Sequence, residues 1–209
     1  MGFKSAAYWS GLAGTAFYVT ACVLSGLQVP HYSHVSQYLS EAVALGAPYG
    51  ALIRYGLLIP SGVLFSAFYV TAARAVPRSV LASLGLYGLS VFHGGALVLS
   101  SIFPCIEGCN IGRGAHDPRQ DVHNWTALLS YLLVPFCLSA IGFAARRWRN
   151  GFVPSVAATL AGIICFVFAV ILWLTPFSPY AGLFQRVMEA SVLSFIVILS
   201  THLHRLSRY

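Results

Sequence analysis

Six stretches of the chain run apolar for about twenty residues each, with short polar or basic segments between them. They cover about Ala6–Leu27, Ala51–Ala73, Val80–Phe103, Trp125–Ala145, Val153–Pro176 and Leu183–Leu203. As an α-helix, each is long enough to cross a hydrocarbon layer about 30 Å thick. The runs are continuously apolar, whereas a membrane barrel needs alternating segments of about ten residues. The pattern therefore predicts an all-α polytopic membrane protein, a bundle of six transmembrane helices. Pro60 and Pro135 fall inside helices and are expected to bend them. The run after Lys4 is longer than the roughly 7–15 apolar residues of a signal peptide and reads as a retained first helix. No repeat divides the chain, so residues 1–209 are expected to form one domain.

Composition agrees with this reading. Hydrophobic residues make up 58% of the 209 and charged residues only 8%, and mean hydropathy is +0.77. A soluble domain carries about a quarter charged residues, so most of this surface must face lipid. The formal net charge of +7 comes from scattered arginines, without the basic stripe of a nucleic-acid binder. Its distribution instead gives an orientation. Lys4, Arg74, Arg78, Arg146, Arg147, Arg149, Arg205 and Arg208 share one side. The opposite loops hold only Arg113 and Arg119, with Arg54 and Arg186 just inside helices. Basic loops stay in the cytoplasm, which places both termini there. The outer loops are then about 28–50, 104–124 and 177–182. All five carboxylates (Glu41, Glu107, Asp117, Asp121 and Glu189) fall in these loops or in the outer half of a helix.

Candidate chemistry gathers on that outer side. From Ser33 onward the first loop has helical spacing, with Val35, Leu39, Ala42 and Val43 on one face and Ser36, Gln37, Ser40 and Glu41 on another. A surface helix acting as a lid fits this pattern; Ser40 and Glu41 as part of a site beneath it is the sharper alternative. Cys105 and Cys109 would face an oxidising compartment, and a disulfide is the leading reading. Cys22, Cys137 and Cys165 lie within apolar runs as small packing residues.

His116, Asp117, Asp121 and His123 cluster before the fourth helix. Imidazole and carboxylate suit general acid–base chemistry or a zinc-like metal. Asp121 as a helix cap is the competing structural reading. A divalent-metal site would draw on His31, His34, His116 and His123, although their spacing matches no established metal signature.

Charged residues inside membrane helices usually face the bundle interior or water. Arg54, Arg186 and Glu189 sit near outer helix ends. Arg186 and Glu189 are spaced to pair on one face. Either they lock helices together, or Arg54 and Arg186 hold an anionic head group with their planar forks. His93 lies deeper, before Gly94-Gly95, and either reaches the pocket floor, bonds a neighbouring carbonyl or binds haem. The C-terminal His202-Leu-His-Arg205 suits the end of a last helix, where cations favour the helix dipole.

Three stretches in order, Tyr32-Ser-His-Val-Ser-Gln-Tyr-Leu-Ser-Glu41, Ile102-Phe-Pro-Cys105 and Gly182-Leu-Phe-Gln-Arg186, resemble an uncharacterised bacterial and archaeal membrane family, domain of unknown function 998. The resemblance spans nearly the whole chain. It implies a six-helix bundle in a bacterial or archaeal inner membrane, with an outward cluster around Ser40, Glu41, His123 and Arg186. It implies no established activity. His31, His34 and His116 fall outside the matching pattern.

The leading expectation is an outward-facing polar pocket that binds or hydrolyses a lipid or other amphiphile, with membrane lipids as partners. In a hydrolase, His123 would be the general base, assisted by Asp121 or Glu41, and Arg54 and Arg186 would stabilise negative charge. Ser40 would be the nucleophile, though no nucleophile-elbow motif surrounds it. Glu189 and His93 would contact substrate. The alternatives are a non-catalytic transporter, sensor or assembly partner, and a metal- or haem-binding redox protein.

Overall fold

The structure is a computed structural model that describes residues 2–109 and 117–206. The described residues are helical with no strand. Six helices are long and apolar enough to cross a membrane: α1 (Phe3–Gln28), α3 (Gly50–Ala75), α4 (Val80–Ile102), α5 (Pro118–Ala145), α6 (Phe152–Leu174) and α7 (Ala181–Arg205). Among the described residues the remaining helices are α2 (Leu39–Ala42), a single turn in the first long loop, and a 3-10 turn at Glu107–Cys109 in the second. Helix α2 is much shorter than the helical spacing from Ser33 predicts, because hydrogen bonds with Arg186, Glu41 and Gln185 fix the backbone of Gln37, Tyr38 and Leu39 at its start.

Each spanning helix packs on its neighbours in sequence, and α7 closes the circle against α1. Short connections force consecutive helices to run antiparallel, and a ring in chain order is the simplest closure. One end of the ring carries the long loops and will be called the capped end. The other, basic end carries the first and last described residues and Lys4, Arg74, Arg78, Arg146, Arg147, Arg149 and Arg205.

Small residues let the helices approach. Between α3 and α4, a Cβ on Gly62 would come within 2.7 Å of the Gly94 carbonyl oxygen. Ser66 and Ser90 there donate their hydroxyls to each other's carbonyls at 2.9 and 3.3 Å. Between α5 and α6, Ser155 donates to the Gly142 carbonyl at 2.7 Å. Such contacts replace the hydrophobic drive that is missing between helices in lipid. Phe65, Phe68, Tyr69, Phe195, Ile196, Leu199 and Leu203 are fully buried, and several lie toward the basic end of α3 and α7. Outward-facing residues such as Val19, Val63, Leu84, Leu132 and Leu160 stay exposed, as a lipid-facing belt requires.

Two helices carry a wider, π-helical stretch: Arg54–Leu58 in α3 and Ser90–Gly95 in α4. Such bulges insert an extra residue into a turn and are frequent at functional sites. Both lie in the half of the ring nearer the capped end. The fourth spanning helix starts at Pro118, seven residues before the apolar run suggests, so His123 and Asn124 are helical. Its cap is Asp117, whose carboxylate accepts the Arg119 N–H at 2.8 Å. The alternative reading of Asp121 as the cap is thereby corrected: Asp121 sits exposed in the first turn.

Candidate functional site

Toward the capped end the ring is hollow. A cavity of about 570 Å³ lies within it, and every spanning helix contributes to its wall: Tyr18, Leu58, His93, Tyr131, Leu172 and Glu189 stand one each on α1, α3, α4, α5, α6 and α7. This size falls in the range that ligand pockets occupy. The roof comes from Tyr38, Leu39, Ser40 and Val43 of the first loop and from Pro104, Cys105 and Cys109 of the second. On the side, Leu128 of α5 and Trp173 of α6 line the cavity while being 44% and 77% exposed. The cavity therefore reaches the apolar outside of the bundle between α5 and α6.

Its floor is polar. His93, carried on the π-helical stretch of α4, is buried, with Nε2 3.8 Å from Glu189 Oε2. Its Nδ1 shares a hydrogen bond of 3.1 Å with the hydroxyl of Tyr69, itself fully buried. Sequence spacing pairs Glu189 with Arg186, one turn away on the same helix. The structure pairs Glu189 with His93, because the guanidinium of Arg186 turns toward the loop.

Arg54 and Arg186 are both spent on backbone carbonyls at the capped end. Arg186 donates to the carbonyls of Gln37 and Gly182 at 2.9 Å each and to the Tyr32 hydroxyl at 2.6 Å, with its guanidinium over the Tyr32 ring. Tyr32 passes the interaction on by donating to the Tyr38 carbonyl at 2.8 Å. Burial pushes the Tyr32 phenol above its ordinary value, outweighing the lowering by Arg186, so it keeps the proton it donates. Arg54, 6% exposed, donates to the carbonyl of Val43 and at 3.4 Å to that of Ala44. Neither arginine lines the cavity.

Glu41 also serves the roof: it accepts the Tyr38 N–H at 2.8 Å, closing the one-turn helix α2, and the Gln37 amide at 3.3 Å. Burial, and then the Glu41 charge, pushes the Tyr38 phenol up, and its hydroxyl donates to the Pro176 carbonyl at 3.0 Å. Tyr38 thus ties the first long loop to the connection between α6 and α7.

Cys105 and Cys109 form a disulfide. Ser40 Oγ lies 3.4 Å from Cys109 Sγ, and since a disulfide sulfur has no proton, the hydroxyl is the donor. The Leu45 N–H bonds the Cys105 carbonyl at 2.9 Å. On the opposite side of the second loop, Gln120 accepts the Ile106 N–H at 2.8 Å.

His123 lines the cavity, and Nδ1 faces the carbonyls of Phe103 at 3.1 Å and Ser100 at 3.4 Å. Carbonyls only accept, so the proton sits on Nδ1 and the Nε2 lone pair is left for a ligand or a proton. Asp121 is exposed in the turn before it. His31 and His34 stand exposed on the first loop, with His34 against the Tyr32 ring, and neither lines the cavity. His116 lies outside the described residues, among which no group of three or more His, Cys, Asp or Glu side chains is placed to hold a metal.

Sequence reasoning missed Tyr18, Tyr69 and Tyr131 altogether. It noted Gln185 without a role; the Gln185 side chain accepts the Leu39 N–H at 2.8 Å and donates to the Tyr131 hydroxyl at 3.0 Å. The available signal was chemical: a tyrosine within an apolar run brings a hydroxyl that needs a partner.

No curated protein and no solved structure is found to match the chain. The profile of the family described as "Protein of unknown function (DUF998)" matches residues 12–202, and the chain belongs to that family.

Proposed function

We propose that this multi-pass membrane protein holds a lipid or other amphiphile in the cavity at its capped end. The observation that carries the reading is one cavity with two kinds of surface. It reaches the lipid-facing exterior beside Leu128 and Trp173, and its floor holds His93 and Glu189. An amphiphile needs both: an apolar wall for its chain and hydrogen-bonding or charged groups for its head. Arg54, Arg186 and Glu41 act in this reading as the fastening of the roof, and Tyr18, Tyr131, His93 and Glu189 as the contacts of the ligand. The basic end faces the cytoplasm by charge asymmetry, so the cavity opens toward the outer side of a bacterial or archaeal inner membrane.

Mass spectrometry of amphiphiles extracted from purified protein tests this. Retention of a stoichiometric amphiphile is expected, and its loss in Ala127→Trp, which fills the cavity wall. The same bulk lipids in both proteins would contradict the reading.

Hydrolysis is a second reading, favoured by His123 alone. Its Nδ1 is fixed by carbonyls and its Nε2 is free to take a proton from water attacking an ester. The test is release of acid and alcohol from a labelled long-chain ester, abolished by His123→Asn.

A further inference from the structure

We infer that the head group of the amphiphile is cationic, an amine or quaternary ammonium seated against Glu189 beside the rings of Tyr18 and Tyr131. This rests on the reading that the cavity takes an amphiphile and adds the sign of its charge. Among the described residues no lysine or arginine lines the cavity, and Glu189 is its one carboxylate. Arg54 and Arg186 cannot swing in without abandoning the roof, because both are bonded to carbonyls of the first loop. Among these residues a phosphate or sulfate head would therefore meet a carboxylate with no lysine or arginine to answer it.

His93 does not cancel the charge in its neutral form. With the Tyr69 hydroxyl donating to Nδ1, the proton on Nε2 faces Glu189 and the pair keeps one negative charge. A carboxylate inside a membrane bundle is costly without a counter-charge and marks a ligand or ion path. Two aromatic rings share that space: Tyr18 and Tyr131 both line the cavity, and the Glu189 charge acts on each. Tyr18 meets Glu189 through its hydroxyl, and a carboxylate with aromatic rings alongside is the chemistry that recognises organic cations. Tyr131 is further steadied by the Gln185 amide, which fixes its hydroxyl.

The test compares three probes with the same alkyl chain, namely dodecyltrimethylammonium, dodecyl maltoside and dodecyl sulfate. They are titrated against the full chain in phosphatidylcholine nanodiscs, with empty nanodiscs correcting for partitioning. The ammonium is expected to bind about tenfold more tightly than the maltoside, and the sulfate most weakly. Glu189→Gln is expected to remove the ammonium preference while sparing the maltoside. The head-group ranking in the unaltered protein needs no variant, so a misfolded Glu189→Gln leaves the test intact. Equal binding of ammonium and maltoside, or tightest binding of sulfate, overturns the inference while amphiphile binding stands. An undiminished ammonium preference in folded Glu189→Gln does the same. Binding of none of the three overturns the amphiphile reading and this inference together.

Discussion

Gln185 accepts the backbone N–H of Leu39 at 2.8 Å, joining the start of the last spanning helix to the one-turn helix that roofs the cavity. Its amide also donates to Tyr131 at 3.0 Å, so one side chain connects roof and wall. Gln185→Leu keeps the volume but leaves the Leu39 N–H without its partner inside the protein. Each buried unmet group costs about 1–3 kcal/mol. We expect a lower unfolding temperature in detergent and looser amphiphile binding; an unchanged melting curve would show that water replaces the amide.

Arg186 makes a different kind of fastening, with three hydrogen bonds and a ring contact on one guanidinium. Its planar fork spans acceptors that an ammonium cannot reach together, so Arg186→Lys should fail to substitute. Bonds to charged groups are worth about 1.5–3 kcal/mol each. Hydrogen exchange of residues 33–43 should accelerate in both Arg186→Lys and Arg186→Ala, with helical circular dichroism retained. Exchange confined to other segments would contradict the clamp.

The disulfide closes a loop between residues only four apart in sequence. Loop-closure entropy for so short a span gives about 2 kcal/mol, near the low end for disulfides. Joint replacement of Cys105 and Cys109 by Ser should lower the melting temperature modestly while the protein still inserts and folds. Its larger effect is expected on the roof, because Ser40 loses the sulfur that it bonds. Amphiphile release from this variant should be faster than from the parent.

The proposed orientation rests on charge asymmetry, and labelling of intact cells checks it. A cysteine placed at Ser36 should react with a membrane-impermeant maleimide, and one at Asn150 should react only after lysis. The free cysteines Cys22, Cys137 and Cys165 are buried or half-buried within the spans, so background labelling should be low. The reverse pattern would turn the cavity toward the cytoplasm.

The spans were legible because apolar runs of this length have few alternatives to membrane helices, and the six helices of the structure follow them closely. The largest shift is at Pro118, where an Asp-Pro cap starts a helix whose first turns are polar and so carry no hydropathy signal. The roles of charged side chains were less accessible. Helical spacing places Arg186 beside Glu189, yet the partners that decide its direction are Gln37 and Tyr32, about 150 residues away in sequence. Long-range contacts of that kind leave no local periodicity. The cavity was legible only as a concentration of polar groups at one end; its wall, drawn from every spanning helix, depends on the closure of the ring.

The most direct measurement is photo-crosslinking with an alkyl amphiphile that carries a diazirine on its chain, followed by peptide mass spectrometry. The account predicts labelling that saturates at cavity residues such as Leu172, Tyr131 and Leu97, and that an excess of unlabelled amphiphile abolishes. Labelling spread over lipid-facing residues such as Leu160 and Phe152, with none in the cavity and no competition, would contradict it.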